Sequence, residues 1–579
     1  MNPQKKAAQA VKSNNVKTNK PSKSTGNLRI IPLGGNDGVG ERNMMLIELN
    51  EDILIIDMGV YWPDEDMPGI DYIIPNIEYL RGKEKNIKAV VITHGHLDHT
   101  GAIQHIMPEI GNPVMYTHEL TKGLIEERMK EYPDTPKLNI KTVKPRDRVK
   151  AGKFEIEFFK VDHNIMGAMG IAVRTPAGTV VHTGDWKFDH NPIEEEPSDL
   201  GHLAEIGSKG VLALLSDSTD SFHEGYQKSE TEIMNELDKI FFEAEDHRII
   251  AATFSSSLSR VQAIINLCEK HDRKLVIEGR SMKTNVDVAQ RLKYIKIKPG
   301  IVIEAKDARR LPDHKVMILG TGAQGEEMAM LQRIVNREHH FFQLKEGDRV
   351  IFTSSVIPGN ERTIQNLQDS IVKQGATIIH YKMLDIHAGG HAKREEQKIM
   401  IRLMRPEYFV PIEANHFMLQ EHARIAQALG ISEKKTFVLE NGQVLEIDHA
   451  KKARIIPERV SAARVMVDGL GVGDVSNVVL RDRVDLSQDG MFVIIVTLGA
   501  KGKLIGNPDI ISRGFIYMKD NKDIIENTRQ KVKEMINQQS KDTKINQTYI
   551  KTKIRNDVGQ FLYSKTKRRP MILPVIIEV

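Results

Sequence analysis

One stretch decides the fold of this chain: Thr93-His94-Gly95-His96-Leu97-Asp98-His99-Thr100-Gly101. It follows Ile87–Ile92, an apolar and β-branched run that predicts a buried strand. A strand that leads into His-x-His-x-Asp-His places four candidate ligands on one tight loop, and imidazole with carboxylate suits zinc, manganese and similar ions. Loop ligands cannot all face one ion, so we expect two adjacent ions. His94 and His96 are assigned to the first, and Asp98 and His99 to the second. The alternative is a run of surface histidines in a turn.

The motif resembles the signature of the metallo-β-lactamase superfamily. That resemblance implies a four-layer αββα sandwich with a metal site at one edge of two facing sheets. Two later positions match the superfamily pattern: His163 as a third histidine ligand, and Asp185 as a carboxylate that bridges both ions. Asp57 closes the predicted strand Ile53–Asp57, and we expect it to orient the histidine loop. Superfamily membership alone does not determine the substrate.

Composition sets bounds on the protein class. The 579 residues allow two to four domains, and the 28% charged and 40% hydrophobic residues are typical of a soluble globular protein. No apolar run reaches the ~18 residues that a membrane span needs, so we expect no membrane association. The single cysteine, Cys268, excludes an intrachain disulfide and fits a reducing, cytoplasmic location. A net charge of +4 permits a nucleic-acid substrate without arguing for one.

Residues 1–27 differ from the rest of the chain. They carry six lysines and no acidic residue, with many Ser, Asn and Gln, and they lack the apolar segment of a secretory signal. Such a segment cannot bury enough apolar surface to order itself, so we predict a disordered lysine-rich tail. It is either a solvated tail or an electrostatic arm for nucleic acid or a partner.

Between Ser229 and Tyr381, predicted helices alternate with short apolar strands. This alternation predicts a parallel α/β domain inserted into the first fold. Two of its loops suit phosphate, Ser255-Ser256-Ser257 and Gly320–Gly325, because small residues at a helix start expose backbone N–H groups to an anion. Ordinary turns explain such loops equally well. A helix is predicted to start at Glu326.

The insert and the late motif His387-Ala388-Gly389-Gly390-His391 are similar to the β-CASP branch of the superfamily, which acts on nucleic acids. Several further phrases resemble bacterial ribonuclease J, namely Gly69–Pro75, His182–Asp189, Gly320–Glu326, Asp509–Tyr517 and Phe561–Val579. We therefore predict an α/β protein with a metallo-β-lactamase αββα sandwich, an inserted parallel α/β β-CASP domain and a small α/β C-terminal domain. The predicted boundaries are 28–228 and 382–450 for the sandwich, 229–381 for the β-CASP domain, 451–464 for a linker and 465–579 for the C-terminal domain.

The resemblance implies a hydrolase that degrades RNA from the 5′ end, prefers a 5′-monophosphate and also cuts internally, in mRNA decay and rRNA processing. The implied metal ligands are His94, His96, Asp98, His99, His163 and Asp185. The implied contacts to RNA phosphate are Ser255, Ser256, Ser257, His387, Ala388, Gly389, Gly390 and His391. The family pattern has Asn where Ser257 stands and Ser where Gly389 stands, which weakens side-chain contacts but leaves backbone N–H groups in place.

A further departure concerns Glu413, in Pro411-Ile412-Glu413-Ala414-Asn415-His416, where the family usually has a histidine ligand of the second ion. Glutamate also binds zinc or manganese, and we expect Glu413 to be a ligand. Two alternatives remain open. His416 reaches the ion instead, or the second ion is held more weakly.

We expect two divalent ions per subunit, Zn²⁺ first, with Mn²⁺ or Mg²⁺ as alternatives. Ions about 3.5–4 Å apart would activate a hydroxide for in-line attack on phosphorus, with Asp98, Asp185 and His391 as the catalytic side chains. The resemblance implies RNA as partner, a homodimer or homotetramer, and association with a DEAD-box RNA helicase or the ribosome. The alternatives are a DNA-directed or purely endonucleolytic β-CASP nuclease and an inactive RNA-binding scaffold. The large insert disfavours a small-molecule hydrolase.

Overall fold

The computed structural model describes residues 27–579 except 65, 324–327, 355, 357–359, 381–387, 476, 500–502 and 540–546. The predicted lysine-rich tail, apart from Asn27, therefore lies outside the described residues, as do His387 and the predicted helix start at Glu326. The chain divides into two compact units. The first joins residues 75–463 to the described residues up to Val60, and the second joins residues 61–74 to residues 464–579.

The first unit begins with the strands and helices that carry the histidine loop. Short 3₁₀ turns at Glu78–Leu80 and Glu84–Asn86 precede that loop. The strands up to residue 217, one of which belongs to the second unit, are β1 (Leu28–Gly34), β2 (Met44–Leu49), β3 (Asp52–Ile56), β4 (Tyr72–Ile74), β5 (Ile87–Val91), β6 (Met115–Thr117), β7 (Ile140–Thr142), β8 (Arg148–Ala151), β9 (Phe154–Lys160), β10 (Met169–Thr175), β11 (Gly178–His182) and β12 (Ala213–Asp217). The helices are α1 (Leu97–Thr100), α2 (Ile103–Glu109), α3 (Glu119–Met129) and α4 (Leu200–Ser208).

The insert follows as alternating helices and strands, and its sheet has the order β14-β15-β13-β16-β17 with every neighbouring pair parallel. Apolar cores cover both faces of this sheet, as a parallel sheet requires. The predicted parallel α/β insert is thus confirmed. Its elements are α5 (Glu230–Glu243), β13 (Ile249–Ala252), α6 (Leu258–Lys270), β14 (Lys274–Ile277), α7 (Arg280–Arg291), α8 (Ala305–Ala308), β15 (Val316–Gly320), α9 (Met330–Val335), β16 (Arg349–Phe352), α10 (Glu361–Lys373) and β17 (Thr377–His380).

The chain then returns to the first fold and completes two sheets. The returning elements are α11 (Arg394–Met404), β18 (Tyr408–Ile412), α12 (His416–Ala428), β19 (Gln443–Ile447) and β20 (Ala453–Arg459). The sheet orders are β20-β19-β1-β2-β3-β5-β6-β7 and β18-β12-β11-β10-β9-β8. Apolar side chains from both sheets, such as Ile47 and Phe158, share one core. Helical residues such as Leu203 and Met400 cover the outer face of the second sheet. The predicted αββα sandwich is confirmed.

The second unit contains two small sheets, in the orders β22-β21-β4 and β24-β23-β25. Its elements from residue 464 onward are β21 (Val465–Asp468), β22 (Gly471–Val472), α13 (Asn477–Asp489), β23 (Met491–Leu498), β24 (Leu504–Arg513), α14 (Lys522–Gln539), α15 (Gln547–Thr566) and β25 (Met571–Glu578). Residues 61–74, which the sequence analysis assigned to the sandwich, instead pack here, because β4 pairs antiparallel with β21. Within the described residues, no helix is both long and apolar enough to span a membrane.

Two strand ends differ from prediction in a way that positions side chains. Asp57 was expected as the last residue of its strand, but β3 ends at Ile56, and Glu413 likewise follows β18, which ends at Ile412. Asp57 has φ 62° and Glu413 has φ 60°, a left-handed conformation that L-residues seldom adopt. This backbone breaks the strand, and such strained residues cluster at functional sites.

Candidate metal centre

The histidine loop leaves β5 and folds into the short helix α1, whose N-cap is His96. His94 Nε2 lies 3.1 Å from His96 Nδ1, and His163 Nε2 lies 3.1 Å from the same atom. Asp185 completes this group, because its Oδ2 is 3.7 Å from His94 Nε2 and 3.6 Å from His163 Nε2. These four side chains form the first ligand set, with their donor atoms within 4.8 Å of one another.

Hydrogen bonds turn the imidazoles of the first set toward its centre. His163 Nδ1 donates to the Gly390 carbonyl at 2.6 Å, and Thr93 Oγ1 lies 3.0 Å from His94 Nδ1. Both contacts leave the Nε2 atoms for an ion, as second-layer partners of metal-binding histidines do. Burial lowers the pKa of His94 and His163 well below the usual value, so both rings are neutral electron-pair donors.

A second ligand set lies beside the first and is richer in carboxylate. His99 Nε2 is 3.4 Å from Asp98 Oδ2 and 3.3 Å from Asp185 Oδ1. Asp57 binds the other nitrogen of the ring, since its Oδ2 accepts from His99 Nδ1 at 2.8 Å. Asp57 is itself fixed by Thr93, whose backbone N–H donates at 2.8 Å and whose hydroxyl donates at 2.9 Å. The carboxylate of Asp57 therefore occupies the orienting position expected for it.

Asp185 links the two sets, because Oδ2 faces His94 and His163 while Oδ1 faces His99. The side chain is buried, and apart from the ion-pair contact with His99 Nε2 at 3.3 Å, Oδ1 makes no hydrogen bond among the described residues. A buried carboxylate oxygen without a partner is costly unless a cation satisfies it. The donor set and this orphaned oxygen fit a pair of divalent ions. The bridging role of Asp185 remains a prediction, which the placement of its two oxygens between the two sets supports.

Glu413 also reaches the cluster. One carboxylate oxygen comes within 4.8 Å of donor atoms of both Asp57 and His99, and Oε1 is 3.8 Å from His182 Nε2. Oε2 is buried and without a hydrogen-bond partner in the part of the chain described. Burial raises the pKa of Glu413 well above its usual value, and the negative charge of Asp185 adds to the effect. An ion bound at this position would relieve that repulsion. His416, the alternative ligand, is exposed on α12 with its Nε2 3.3 Å from Gln420 Nε2.

His391 faces the same cluster from the returning segment. Its Nε2 is 4.0 Å from Asp185 Oδ2, and its Nδ1 is 2.8 Å from Asp217 Oδ2. Burial alone would lower the pKa of His391, but the carboxylates of Asp217 and Asp185 outweigh it and raise the pKa to about 10. Asp217 had no role assigned from the sequence. No local pattern marks it, because its place at the site depends on β12 lying beside both β11 and β18.

Two further polar residues were missed. Asn43 Nδ2 is 2.9 Å from His99 Nε2 and 3.4 Å from Asp98 Oδ2, at the centre of the second set. Gln227 braces the loop before His391, because its Nε2 donates to the His391 carbonyl at 2.8 Å and its Oε1 accepts from the Gly389 N–H at 3.3 Å. Neither residue belongs to a recognisable motif, so only the tertiary structure reveals them.

The loop at Ala388–His391 requires glycine. A Cβ on Gly390 would approach His163 Cε1 to 2.5 Å, so a side chain there would displace a candidate ligand. A Cβ on Gly389 would meet Gln227 Nε2 at 2.5 Å, where the family pattern has serine. The glycine at 389 therefore makes room for Gln227, and the loop presents backbone rather than a hydroxyl. His387 lies outside the described residues.

The serine loop lies at the start of α6 in the insert. Ser257 is the N-cap of this helix, and its side chain makes no capping hydrogen bond. Asn285 Nδ2 donates to the Ser255 carbonyl at 2.9 Å and fixes the loop. A cavity of about 580 Å³ opens beside Ser255 and is lined in part by Arg280, Arg333 and His339. The serine hydroxyls at this helix start suit a phosphate, and the arginines of the cavity carry the matching charge.

Family models match most of this chain. The metallo-beta-lactamase superfamily matches residues 37–241, the Ribonuclease J beta-CASP domain matches residues 246–371, and the Ribonuclease J C-terminal domain matches residues 478–579. These three matches follow one another in the order that the fold shows.

Similar proteins span nearly the whole chain. Ribonuclease J2 of Bacillus subtilis (strain 168) is 34% identical over 558 residues, which cover 96% of this chain and 100% of the relative. Ribonuclease J 2 of Staphylococcus aureus (strain MRSA252) is 34% identical over 560 residues, which cover 96% of this chain and 99% of the relative. Among solved structures, a protein of unknown function from Enterococcus faecalis V583 matches with a TM-score of 0.50 and 17% identity, over 76% of this chain and 100% of that one, and shares the fold alone.

Proposed function

The chain belongs to the ribonuclease J family and is a metal-dependent ribonuclease of RNA processing, and we propose that it degrades 5′-monophosphorylated RNA from the 5′ end and also cuts internally. The observation that carries the hydrolytic step is the position of Asp185. Its two oxygens face two separate ligand sets, and the same carboxylate lies 4.0 Å from His391 Nε2. One residue thus connects both candidate ion positions to a proton donor.

The residues that would hold the ions are those of the two sets. His94, His96 and His163 would hold the first ion, and Asp98, His99 and Glu413 the second, with Asp185 shared. When bound, two divalent ions activate an attacking water and stabilise the charge that develops on the phosphodiester. The three neutral imidazoles favour Zn²⁺, and the carboxylates of the second set also suit Mn²⁺ or Mg²⁺.

His391 is proposed as the general acid. Asp217 holds Nδ1 and so directs Nε2 toward Asp185, where the scissile phosphate would bind. Breaking the bond between phosphorus and the 3′-oxygen requires a proton on that oxygen, and His391 Nε2 would deliver it. The products are a nucleoside 5′-monophosphate and a shortened RNA that again begins with a 5′-monophosphate. Each turn therefore regenerates the preferred substrate.

The preference for a monophosphate would come from the serine loop and the glycine loop before His391. Ser255, Ser256 and Ser257 present hydroxyl and backbone donors at the start of α6, while Ala388, Gly389 and Gly390 present backbone beside His163. A buried chain of contacts leads from α6 to the segment that follows Asp185. Arg260 of α6 pairs with Glu230 at 3.0 Å, and the Glu230 N–H donates to Asp189, four residues after Asp185. A triphosphate would be too bulky for such a pocket, and a 5′-hydroxyl would bind none of these donors.

Assembly and partners are proposed from the family alone. A homodimer or homotetramer would use the C-terminal domain, and a DEAD-box RNA helicase or the ribosome would be a cytoplasmic partner. Size measurement of the purified protein by light scattering tests the first of these, and a single monomeric mass at micromolar concentration would contradict it.

The direct test uses RNA labelled at its 5′ end with either a monophosphate or a triphosphate, incubated with protein and manganese or zinc. Labelled mononucleotide from the monophosphate substrate alone is the expected result. Internal fragments from both substrates would be consistent with the metal site but would contradict the proposed 5′-monophosphate pocket. Asp98→Ala is the control and should lose cleavage while still binding RNA. DNA of the same sequence, run in parallel, separates a ribonuclease from a DNA-directed enzyme.

A further inference from the structure

An exposed aromatic patch borders the metal centre and has no part in the proposed chemistry. Phe222 is 40% exposed and Phe417 is 54% exposed, and their ring centroids lie 5.6 Å apart with the planes tilted by 56°. The His223 ring lies against Phe222, with a centroid distance of 3.9 Å, and its side chain is also half exposed. Large aromatic rings usually bury their faces, so an exposed group of three rings indicates a binding site.

The two segments that carry this aromatic patch are joined by hydrogen bonds along their length. The Ser218 N–H donates to the Ile412 carbonyl at 3.0 Å, and Thr219 Oγ1 donates to the Glu413 carbonyl at 3.0 Å. Farther out, the buried Ser221 hydroxyl donates to the Met418 carbonyl at 2.7 Å. The rings therefore project from a braced pair of segments rather than from two independent loops.

The aromatic patch begins where the metal centre ends. Phe222 lies five residues after Asp217, which holds His391, and Phe417 lies four residues after Glu413 of the second ligand set. A chain of five residues spans at most about 18 Å, so the rings lie within a few nucleotides of the scissile position. His223 Nδ1 is 3.0 Å from Asp220, whose other carboxylate oxygen accepts from Gln227, the residue that braces the glycine loop.

Two basic residues stand at the start of the helix that meets the loop of Phe222. The backbone N–H of Arg394 donates to the His223 carbonyl, so the start of α11 meets the loop that carries Phe222. Lys393 and Arg394 are both partly exposed at that point. Aromatic faces beside cationic side chains are the usual platform for single-stranded nucleic acid, because every base has a stacking face and every nucleotide has a phosphate.

We propose that Phe222 and Phe417, with His223, stack on unpaired bases of the RNA substrate beside the scissile phosphate. The proposal rests on the proposed ribonuclease function and adds a substrate-binding surface to it. Two or three rings are too small for a stable protein interface, which needs roughly 800 Å² on each partner. They match the area of one or two bases. Stacking is tolerant of sequence, so the patch would hold RNA of any sequence provided that the strand is unpaired.

The test measures RNA binding by fluorescence anisotropy in the Asp98→Ala background, which prevents cutting. The variant is Phe222→Ala with Phe417→Ala. The control is Phe242→Ala, an exposed phenylalanine on α5 outside the aromatic patch, with 68% of its surface exposed. A second variant, Phe222→Tyr with Phe417→Tyr, keeps both rings. The probes are a 5′-monophosphorylated single-stranded oligoribonucleotide and a series in which one abasic residue replaces each nucleotide in turn.

We expect the double alanine variant to bind intact RNA about tenfold to a hundredfold more weakly, with tyrosine retaining the affinity and Phe242→Ala having no effect. At one or two abasic positions the alanine variant should lose nothing further, because the base that stacks is already missing. Unchanged affinity for intact RNA, or an equal loss at every abasic position, would overturn the proposal and leave the patch to a protein contact. Absence of RNA binding by the Asp98→Ala parent would instead reject the ribonuclease function and the patch together. Unchanged melting temperature and metal content exclude misfolding.

Discussion

The buried carboxylates of the first unit differ in whether their oxygens have hydrogen-bond partners, and Glu157 and the candidate metal centre show the two cases. Around Glu157, every carboxylate oxygen is used: Oε1 accepts from Arg148 at 3.2 Å and from His202 at 2.9 Å, and Oε2 accepts from Arg174. At the candidate metal centre, Asp185 Oδ1 and Glu413 Oε2 are buried without any hydrogen-bond partner among the described residues. Both groups use residues of the same second sheet, so burial itself does not explain the difference.

The difference distinguishes a charge cluster that stabilises the fold from one that binds an ion. A self-satisfied cluster recovers its desolvation cost through its own hydrogen bonds. At Glu413, burial beside Asp185 instead disfavours the charged carboxylate, and a cation would relieve that cost. The pKa directions of Glu157 and Glu413 agree with this contrast. The pKa of Glu157 falls to about 2, because its hydrogen bonds to His202, Arg174 and Arg148 outweigh burial, whereas burial and Asp185 raise the pKa of Glu413.

The largest expected effect comes from Asp185→Asn. The substitution keeps the shape but removes the charge shared by both ligand sets, so RNA cleavage should fall by roughly a thousandfold or more. The melting temperature of the metal-free protein should fall, because the substitution also removes the buried attraction of Asp185 for His99 and His391. Cleavage assays and thermal unfolding in the presence of a chelator check both. Cleavage within tenfold of the parent would show that Asp185 does not hold the ions.

Asp217→Asn should have the next largest effect. The asparagine still fits beside His391 but no longer stabilises its protonated ring, so cleavage should fall about tenfold to a hundredfold. RNA affinity and bound metal should stay at parental levels, which separates this residue from the ligands. Elemental analysis together with single-turnover rates makes that separation. Loss of metal along with rate would assign Asp217 to the metal centre instead.

Substitutions of Glu413 test whether its buried Oε2 binds an ion. Glu413→Gln should raise the metal concentration needed for half-maximal cleavage by about tenfold, because one charged ligand of the second ion becomes neutral. Glu413→His should restore tight binding, since imidazole is the stronger donor for zinc. Titration of the apo-protein with Zn²⁺ or Mn²⁺ provides the measurement. If both variants match the parent in metal content and rate, the position does not hold an ion.

Glu157→Gln changes a carboxylate that stabilises the fold rather than one that binds an ion, so it should have the smallest effect on catalysis. Loss of the charged hydrogen bonds should lower the free energy of unfolding by about 1–3 kcal/mol at neutral pH while leaving RNA cleavage unchanged. The folded-state pKa lies below the unfolded value, so this stability is present above about pH 4.5 and is lost as the pH falls toward about 2. Melting curves of both proteins should therefore converge in acid. A constant difference down to pH 2 would argue against an ionised Glu157.

Much of the fold follows from local pattern. The apolar run Ile87–Ile92 predicted β5 to within one residue, and the alternation that begins at Ser229 starts with α5, whose N-cap is Ser229. The strand ends at Asp57 and Glu413 were not predictable, because their left-handed backbone depends on the packing around them rather than on residue type. Residues 61–74 belong to the second unit because β4 pairs with β21, and these strands lie almost 400 residues apart in sequence.

The sequence by itself determined the ligand types, their order and the family, because His94–His99 lie on one loop and their spacing is a local property. The tertiary structure alone decided which atoms meet. Asp217 contacts His391, 174 positions away in sequence, and Ser221 donates a hydrogen bond to Met418, 197 positions away. Such pairs come together only when β12 and β18 lie side by side in one sheet, and no local pattern encodes that adjacency. The same adjacency brings Phe222 to Phe417, which is why the aromatic patch appears only in the folded chain.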